Sequence, residues 1–295
     1  MNDQLENHPV EKLLRMDRMP HIWCSGCGLG INVTTFAKAI EKSQIPQDKF
    51  AVVSGIGCTG RVAGYIKLDS FHTTHGRAIP FATGIALANR DLKVVVFSGD
   101  GDLFAIGGNH LIHAARRNIN MTVICVNNFI YGMTGGQNAP TTPLTAYSTT
   151  APYGNYEEPF NLCYLAASSG ASYVARWTTL HVRRLIETIS EALLWRGFSF
   201  VEIITPCATV YAKKNMGGTG LDLLERFHAR SVIAHGVDPK ECNIGYDDPL
   251  KVGVFVRRER LSYYDRLKQV YQHVQHADAK KRKKCTEAND ERMED

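Results

Sequence analysis

The stretch Leu92-Lys93-Val94-Val95-Val96-Phe97-Ser98-Gly99-Asp100-Gly101-Asp102, and the later Met121-Thr122-Val123-Ile124-Cys125-Val126-Asn127-Asn128, decide the fold. The apolar runs 92–97 and 121–126 predict two buried strands, and the periodicity of 109–117 predicts a helix between them. Strands that are apolar throughout belong to a parallel sheet covered by helices on both faces. A right-handed crossover then returns Asn127-Asn128 to the edge that carries Gly99-Asp100-Gly101-Asp102, where such sheets hold ligands. Glycines let the backbone approach a phosphate closely and expose amides to it. A hard cation bridging two phosphates needs a carboxylate and neutral oxygens, and Asp100 supplies the charge. Either motif alone reads best as a surface turn. Placed together at the ends of adjacent strands, they read as a diphosphate and Mg²⁺ half-site.

The alternation extends in both directions. Residues 31–45 have a helical period and follow Gly26, Gly28 and Gly30, and Phe50-Ala51-Val52-Val53 is a short strand ending in the turn-rich run 54–60. A helix is predicted over 78–89, a strand over 172–175, a helix over 180–196 and a strand over 200–204. The fold class is α/β, with residues 1–207 as one domain. Past Pro206 the regularity is lost, so 208–276 is expected as an extended, partner-contacting extension with a helix over 261–274. Residues 277–295 are expected as a disordered basic tail.

The 295 residues are 44% apolar and 21% charged, ordinary for a globular protein. The formal charge of +5 is concentrated in Lys280-Lys281-Arg282-Lys283-Lys284, a solvated block without interleaved aromatic residues, so no nucleic-acid partner is expected. No secretory h-region opens the sequence and no apolar run reaches the ~18 residues of a membrane span. Eight cysteines without an export signal argue for metal or redox use in the cytoplasm.

Four of those cysteines stand where loops converge. Cys24-Ser25-Gly26-Cys27-Gly28 is a glycine-flanked clasp suited to a metal or cluster, Cys58 lies in Gly57-Cys58-Thr59-Gly60, and Cys207 follows Pro206 at a strand end. Cys125 and Cys163 sit in apolar runs and read as core, while Cys242 and Cys285 lie in polar surroundings with no role assigned. Zinc is the default for four thiolates, so a zinc-stapled binding protein stands as the reading from a different class. A cluster beside a diphosphate cofactor has an electron-transfer use that a structural zinc lacks.

The spacing of Gly99-Asp100-Gly101 and Asn127-Asn128 resembles the thiamine diphosphate signature. With Trp23-Cys24-Ser25-Gly26-Cys27-Gly28, Gly55-Ile56-Gly57-Cys58, His75-Gly76-Arg77, the run from Asn127 to Gln137 and Pro206-Cys207, it resembles the β subunits of 2-oxoacid:ferredoxin oxidoreductases, most of all those acting on 2-oxoglutarate. The resemblance implies a thiamine-diphosphate-binding fold, with Asp100, Asn128 and the Ile130 carbonyl on Mg²⁺. It places one [4Fe–4S] cluster on Cys24, Cys27, Cys58 and Cys207, and the cofactor against Ile56, Gly57, Cys58, Thr59, His75, Gly101, Asp102 and Met133. It implies oxidative decarboxylation of a 2-oxoacid with coenzyme A, electrons leaving through the cluster to ferredoxin. An obligate α subunit, in an (αβ)₂ assembly, supplies the activating glutamate. His75 and Arg61 are the candidate catalytic residues; an arginine fork at 61 suits a substrate carboxylate, and an exposed arginine at a helix start is the equal alternative. A loop lysine of broad-specificity relatives is Gly135 here, which favours 2-oxoglutarate over pyruvate. A cluster-free thiamine diphosphate decarboxylase would not need the four cysteines.

Overall fold

The computed structural model describes residues 8–290, with side chains to 281. The strands are β1 Phe50–Ser54, β2 Asp69–His72, β3 Lys93–Gly99, β4 Met121–Asn127, β5 Ile130–Tyr131, β6 Gln137–Asn138, β7 Tyr173–Thr178, β8 Phe198–Ile204, β9 Ser231–Ile233 and β10 Leu250–Arg257. The helices are α1 Leu29–Ser43, α2 Val62–Tyr65, α3 Ala78–Ala88, α4 Gly108–Arg117, α5 Leu162–Ser168, α6 Val182–Leu194, α7 Tyr211–Asn215, α8 Gly220–Ala229 and α9 Tyr263–Asp290. Among the described residues, eight strands make one sheet in the order β2-β1-β3-β4-β8-β7-β10-β9, and β5 and β6 form a separate hairpin. Every neighbouring pair in the large sheet is parallel except β10 with β7.

The strands are apolar throughout because both faces are covered. Val95, Phe97, Ile124 and Val201 pack under α1 (Val33, Phe36) and α6 (Leu185, Ile189). Val94, Val96, Val123 and Phe200 pack on the other face under α3 (Ala82), α4 (Leu111) and α5 (Leu162). This alternation of consecutive side chains between two cores is what a doubly covered strand requires. It leaves the loops after β1, β3, β4 and β8 gathered at one sheet edge.

The predicted strands and helices stand within a few residues of their places, but the C-terminal third differs from the extended segment expected for 208–276. β10 joins the sheet beside β7, and Leu223, Phe227, Leu250, Val252 and Val254 belong to the same core as α1 and α6. Two signals explain this. Thr219 and Asp222 form a reciprocal capping box that starts α8. In β10, Gly253 reads as a breaker, yet with φ at +143° it sits beside a bulge that carries the strand on. Cys242, expected in polar surroundings, is fully buried, and its carbonyl accepts from Arg176. Cys125 and Cys163 are buried as predicted. Where disorder was expected from 277, α9 runs on to Asp290; its sequence holds neither glycine nor proline and is rich in helix-forming lysine and alanine. Residues 291–295 of that tail and the Cys285 side chain lie outside the described residues. Among the described residues no helix is long and apolar enough to cross a membrane.

Because Phe227 is buried against Phe129 with ring centroids 5.6 Å apart, Phe227→Ala is expected to cost about 3–5 kcal/mol in denaturant unfolding. A loss below about 1 kcal/mol would mark 208–260 as an appendage rather than part of this core.

Candidate active site

The sheet edge holds two adjoining cavities. The first, about 130 Å³, is lined by Ile56, Gly57, Cys58 and Thr59 after β1, His75, Gly99–Asp102 after β3, and Asn128 and Ile130–Thr134 after β4. It therefore gathers Asp100, Asn128, Ile130 and the whole set of residues expected to touch the cofactor. The second, about 190 Å³, is lined by Cys24, Cys27, Cys58 and Cys207 together with Trp23, Arg61, Thr205 and Thr209. Cys58, Asn128, Gly132 and Met133 line both. Arg61 is exposed and opens on the cysteine side of that shared wall, where its charge favours the Cys58 thiolate.

Asp100 is 3% exposed and accepts a hydrogen bond from the Thr141 hydroxyl. Burial pushes its carboxyl up to about 6, partly offset by that hydroxyl and nearby backbone amides. After β4 the chain turns back on itself. Asn127 Oδ1 accepts from the Phe129 amide at 3.1 Å, Asn128 Oδ1 accepts from the Ile130 amide at 3.4 Å, and Phe129 is left-handed with φ at +64°. A buried phenylalanine rarely adopts that conformation. Here the Thr142 hydroxyl bonds its carbonyl at 2.6 Å, and Tyr211 and Phe227 clamp its ring. The turn puts Asn128 and Ile130 on the cavity with Asp100, while Asn127 points into the protein toward Glu202.

Asp102 lines the cavity, but its carboxylate is used up inside the protein. It accepts from the Ile56 amide at 3.0 Å, the Gly76 amide at 2.8 Å and the Ser98 hydroxyl at 2.8 Å, and His75 Nδ1 lies 2.5 Å away. It ties the loops after β1 and before α3 to the end of β3. With Nδ1 committed to Asp102, Nε2 is the His75 nitrogen left for a ligand. Gly55 and Gly101 are needed for contact: a Cβ at Gly55 would meet Asp102 Oδ2 at 1.8 Å, and one at Gly101 would meet the Tyr131 ring at 2.2 Å. Tyr131 in turn donates to the Gly101 carbonyl at 3.2 Å and stands edge-on to His75. Sequence reasoning missed Thr141 and Tyr131 as members of the site. Thr141 carries no motif, and Tyr131 lay in a quoted phrase without a role.

The cysteine loops are fixed through their backbones. Trp23 Nε1 donates to the Cys58 carbonyl at 2.8 Å and Thr205 Oγ1 to the Cys27 carbonyl at 2.7 Å. Gly26 abuts Gly220 at the start of α8, where a Cβ on Gly220 would meet the Gly26 carbonyl at 2.6 Å, so the extension helps hold the clasp. Cys24 is exposed, Cys58 half-buried, and Cys27 and Cys207 buried. Burial raises the thiol pKa of Cys27 and of Cys58, and charge on the neighbouring cysteines raises both further. Gly135 takes φ at +116°, so a lysine at that position would be strained.

A phosphate-approaching edge with a buried carboxylate and an Asn-Asn turn defines a thiamine diphosphate site, and residues 55–203 match the family described as "Thiamine pyrophosphate enzyme, C-terminal TPP binding domain". The chain is 49% identical over 266 residues to the 2-oxoglutarate synthase subunit KorB of Methanothermobacter marburgensis, covering 89% of this chain and 92% of the relative. It is 48% identical to that of Methanocaldococcus jannaschii, covering 88% and 96%. A solved 2-oxoglutarate:ferredoxin oxidoreductase from Magnetococcus marinus, with 2-oxoglutarate, coenzyme A and succinyl-CoA bound, superposes with a TM-score of 0.80 at 30% identity over 92% of each chain. The chain belongs to the family of 2-oxoglutarate:ferredoxin oxidoreductase β subunits.

Asp102→Asn keeps the shape but turns an NH₂ toward groups that themselves donate. The variant is expected to lose about 1–3 kcal/mol in denaturant unfolding, the cost of buried donors left unmet. Unchanged stability would mean that the carboxylate does not tie these loops together.

Proposed function

We propose that this chain carries the Mg²⁺, thiamine diphosphate and [4Fe–4S] half of an enzyme that oxidatively decarboxylates 2-oxoglutarate to succinyl-CoA and CO₂ and passes the electrons to ferredoxin. The observation that carries the reading is the shared wall: Cys58, Asn128, Gly132 and Met133 face both the diphosphate cavity and the cysteine cavity. A redox centre on the four cysteines would lie one side chain away from the cofactor.

The residues fit both groups. Asp100 is a carboxylate kept from water with its acidity weakened by burial, and a divalent cation restores the ionised form. Asn128 Oδ1 and the Ile130 carbonyl are the neutral oxygens that would complete its protein ligands. On the other side, burial and the neighbouring cysteines raise the Cys27 and Cys58 thiols, and an iron cluster would supply the positive charge that favours their thiolates. A single zinc with ~2.3 Å bonds would draw four Sγ atoms to about 3.8 Å from one another. A [4Fe–4S] cube instead binds one iron to each of the four thiolates, which need not converge on a single ion.

When bound, thiamine diphosphate supplies the carbanion chemistry at the keto carbon. This chain's residues do the rest of the positioning. Ile56, Gly57, Thr59, Gly101 and Met133 shape the wall that would face the cofactor, and Asp102 orients His75 so that Nε2 meets the ligand. Arg61, exposed at the cysteine side of the shared wall, would offer its fork to a substrate carboxylate. Exposed Cys24 brings the cluster end of the site to the surface, where ferredoxin would dock. A cavity of about 130 Å³ is well under the ~300 Å³ of an ordinary cofactor pocket. That supports an α subunit closing the site, supplying the activating glutamate and contributing to the coenzyme A contacts, in an (αβ)₂ assembly. Among the described residues no cysteine is paired in a disulfide, which suits the reducing cytoplasm.

The test is 2-oxoglutarate- and coenzyme A-dependent reduction of a low-potential dye by the chain with its α partner. Activity is expected with 2-oxoglutarate, with little from either chain alone, and Cys58→Ser should abolish it. Turnover of pyruvate in preference would refute the substrate assignment.

A further inference from the structure

One lateral row of the sheet is polar where the rows around it are apolar. Ser98 of β3 pairs in register with Cys125 of β4, Cys125 with Glu202 of β8, and Glu202 with Arg176 of β7, all on the face under α3, α4 and α5. Arg176 and Glu202 are fully buried. Arg176 Nε donates to Glu202 Oε2 at 2.6 Å and its Nη1 to the Cys242 carbonyl at 2.7 Å, while Cys163 Sγ lies 3.2 Å from the same Oε2. The other carboxylate oxygen, Oε1, accepts from Asn127 Nδ2 at 2.8 Å.

A buried ion pair is a poor source of stability, because removing two charges from water costs about as much as their attraction returns. Arg176 even leaves Nη2 without a partner among the described residues. What the pair does supply is an oxygen held in one place. Glu202 can turn neither oxygen to water, and Arg176 and Cys163 fix Oε2, so Oε1 is aimed at Asn127. Asn127, with Nδ2 so held, presents Oδ1 to the Phe129 amide and keeps Phe129 left-handed. That bend sets Asn128 and Ile130 on the cavity beside Asp100. At the other end of the row, Ser98 does the corresponding service for Asp102.

The geometry points to Glu202 as a positioning residue for the metal half-site, acting through Asn127, with Arg176 as its partner in a buried ion pair. Arg176 remains protonated there, its pKa raised by Glu202 and the neighbouring cysteines against the burial that opposes it. Arg176 and the Cys242 carbonyl also link this support to the C-terminal segment that carries β10.

This inference rests on the Mg²⁺ site assigned to Asp100, Asn128 and Ile130 under the proposed function. Its test is calorimetric titration of Mg²⁺ and thiamine diphosphate into the stripped complex of this chain with its α partner. The cluster's visible absorbance and the apo thermal midpoint are recorded alongside. Glu202→Ala is expected to weaken binding about 10- to 100-fold, the usual effect of removing a group that orients a metal ligand, with the cluster absorbance unchanged. Asn127→Ala should weaken it similarly, and the double variant should bind no more weakly than Asn127→Ala alone. Should Glu202→Ala not fold, Arg176→Met with Glu202→Leu removes both charges together, and the same loss of affinity is expected. Binding equal to wild type in either folded variant, or strictly additive losses in the cycle, would overturn the proposal. A wild-type complex that binds no Mg²⁺ and thiamine diphosphate would instead overturn the site assignment beneath it.

Discussion

A carboxylate kept almost entirely from water at the end of β3 is the constraint on which the rest of the site depends. Asp100 cannot be solvated where it stands, and burial pushes its carboxyl pKa up to about 6. Such a group is tolerated only where its charge will be met. Thr141 meets part of it with a hydroxyl. The remainder calls for a cation, and the neutral oxygens of Asn128 and Ile130 face the same small cavity. The left-handed Phe129, the glycine at 101 against Tyr131 and the four-donor seat of Asp102 all serve to hold that arrangement still.

The second consequence is adjacency. The loop after β1 turns once and delivers Cys58 to the wall between the two cavities, so one segment serves both the diphosphate side and the cysteine side. A parallel sheet makes this economical, because every strand ends at the same edge and short loops suffice. The arrangement is also incomplete. The relatives this chain matches are named as subunits, which implies an α partner.

Much of this was legible in the sequence. Apolar runs mark the central strands, and the right-handed crossover sets Asp100 beside Asn128. Cys24, Cys27, Cys58 and Cys207 were identifiable because cysteine is rare and its loop contexts are distinctive. The rest was hidden for physical reasons. Asp102 reads as a ligand in a linear motif, but its role as a hub depends on amides from 46 and 26 residues away. Thr141 and Tyr131 act through contacts that carry no periodicity. β10 concealed itself behind Gly253, a residue that breaks most strands and here accompanies a bulge. Arg176 and Glu202 did leave a trace, the one charge within each of two buried strands, whose meaning appears only when register puts them side by side.

The four cysteines are proposed to hold a redox cluster against the cofactor's site. Metal and sulfide analysis of the anaerobically purified chain in its complex, with low-temperature electron paramagnetic resonance after reduction, tests it most directly. The expected result is a brown protein in which this chain binds four irons and four sulfides, with a reduced-cluster signal that Cys58→Ser removes. A colourless protein holding one zinc on these cysteines would contradict it.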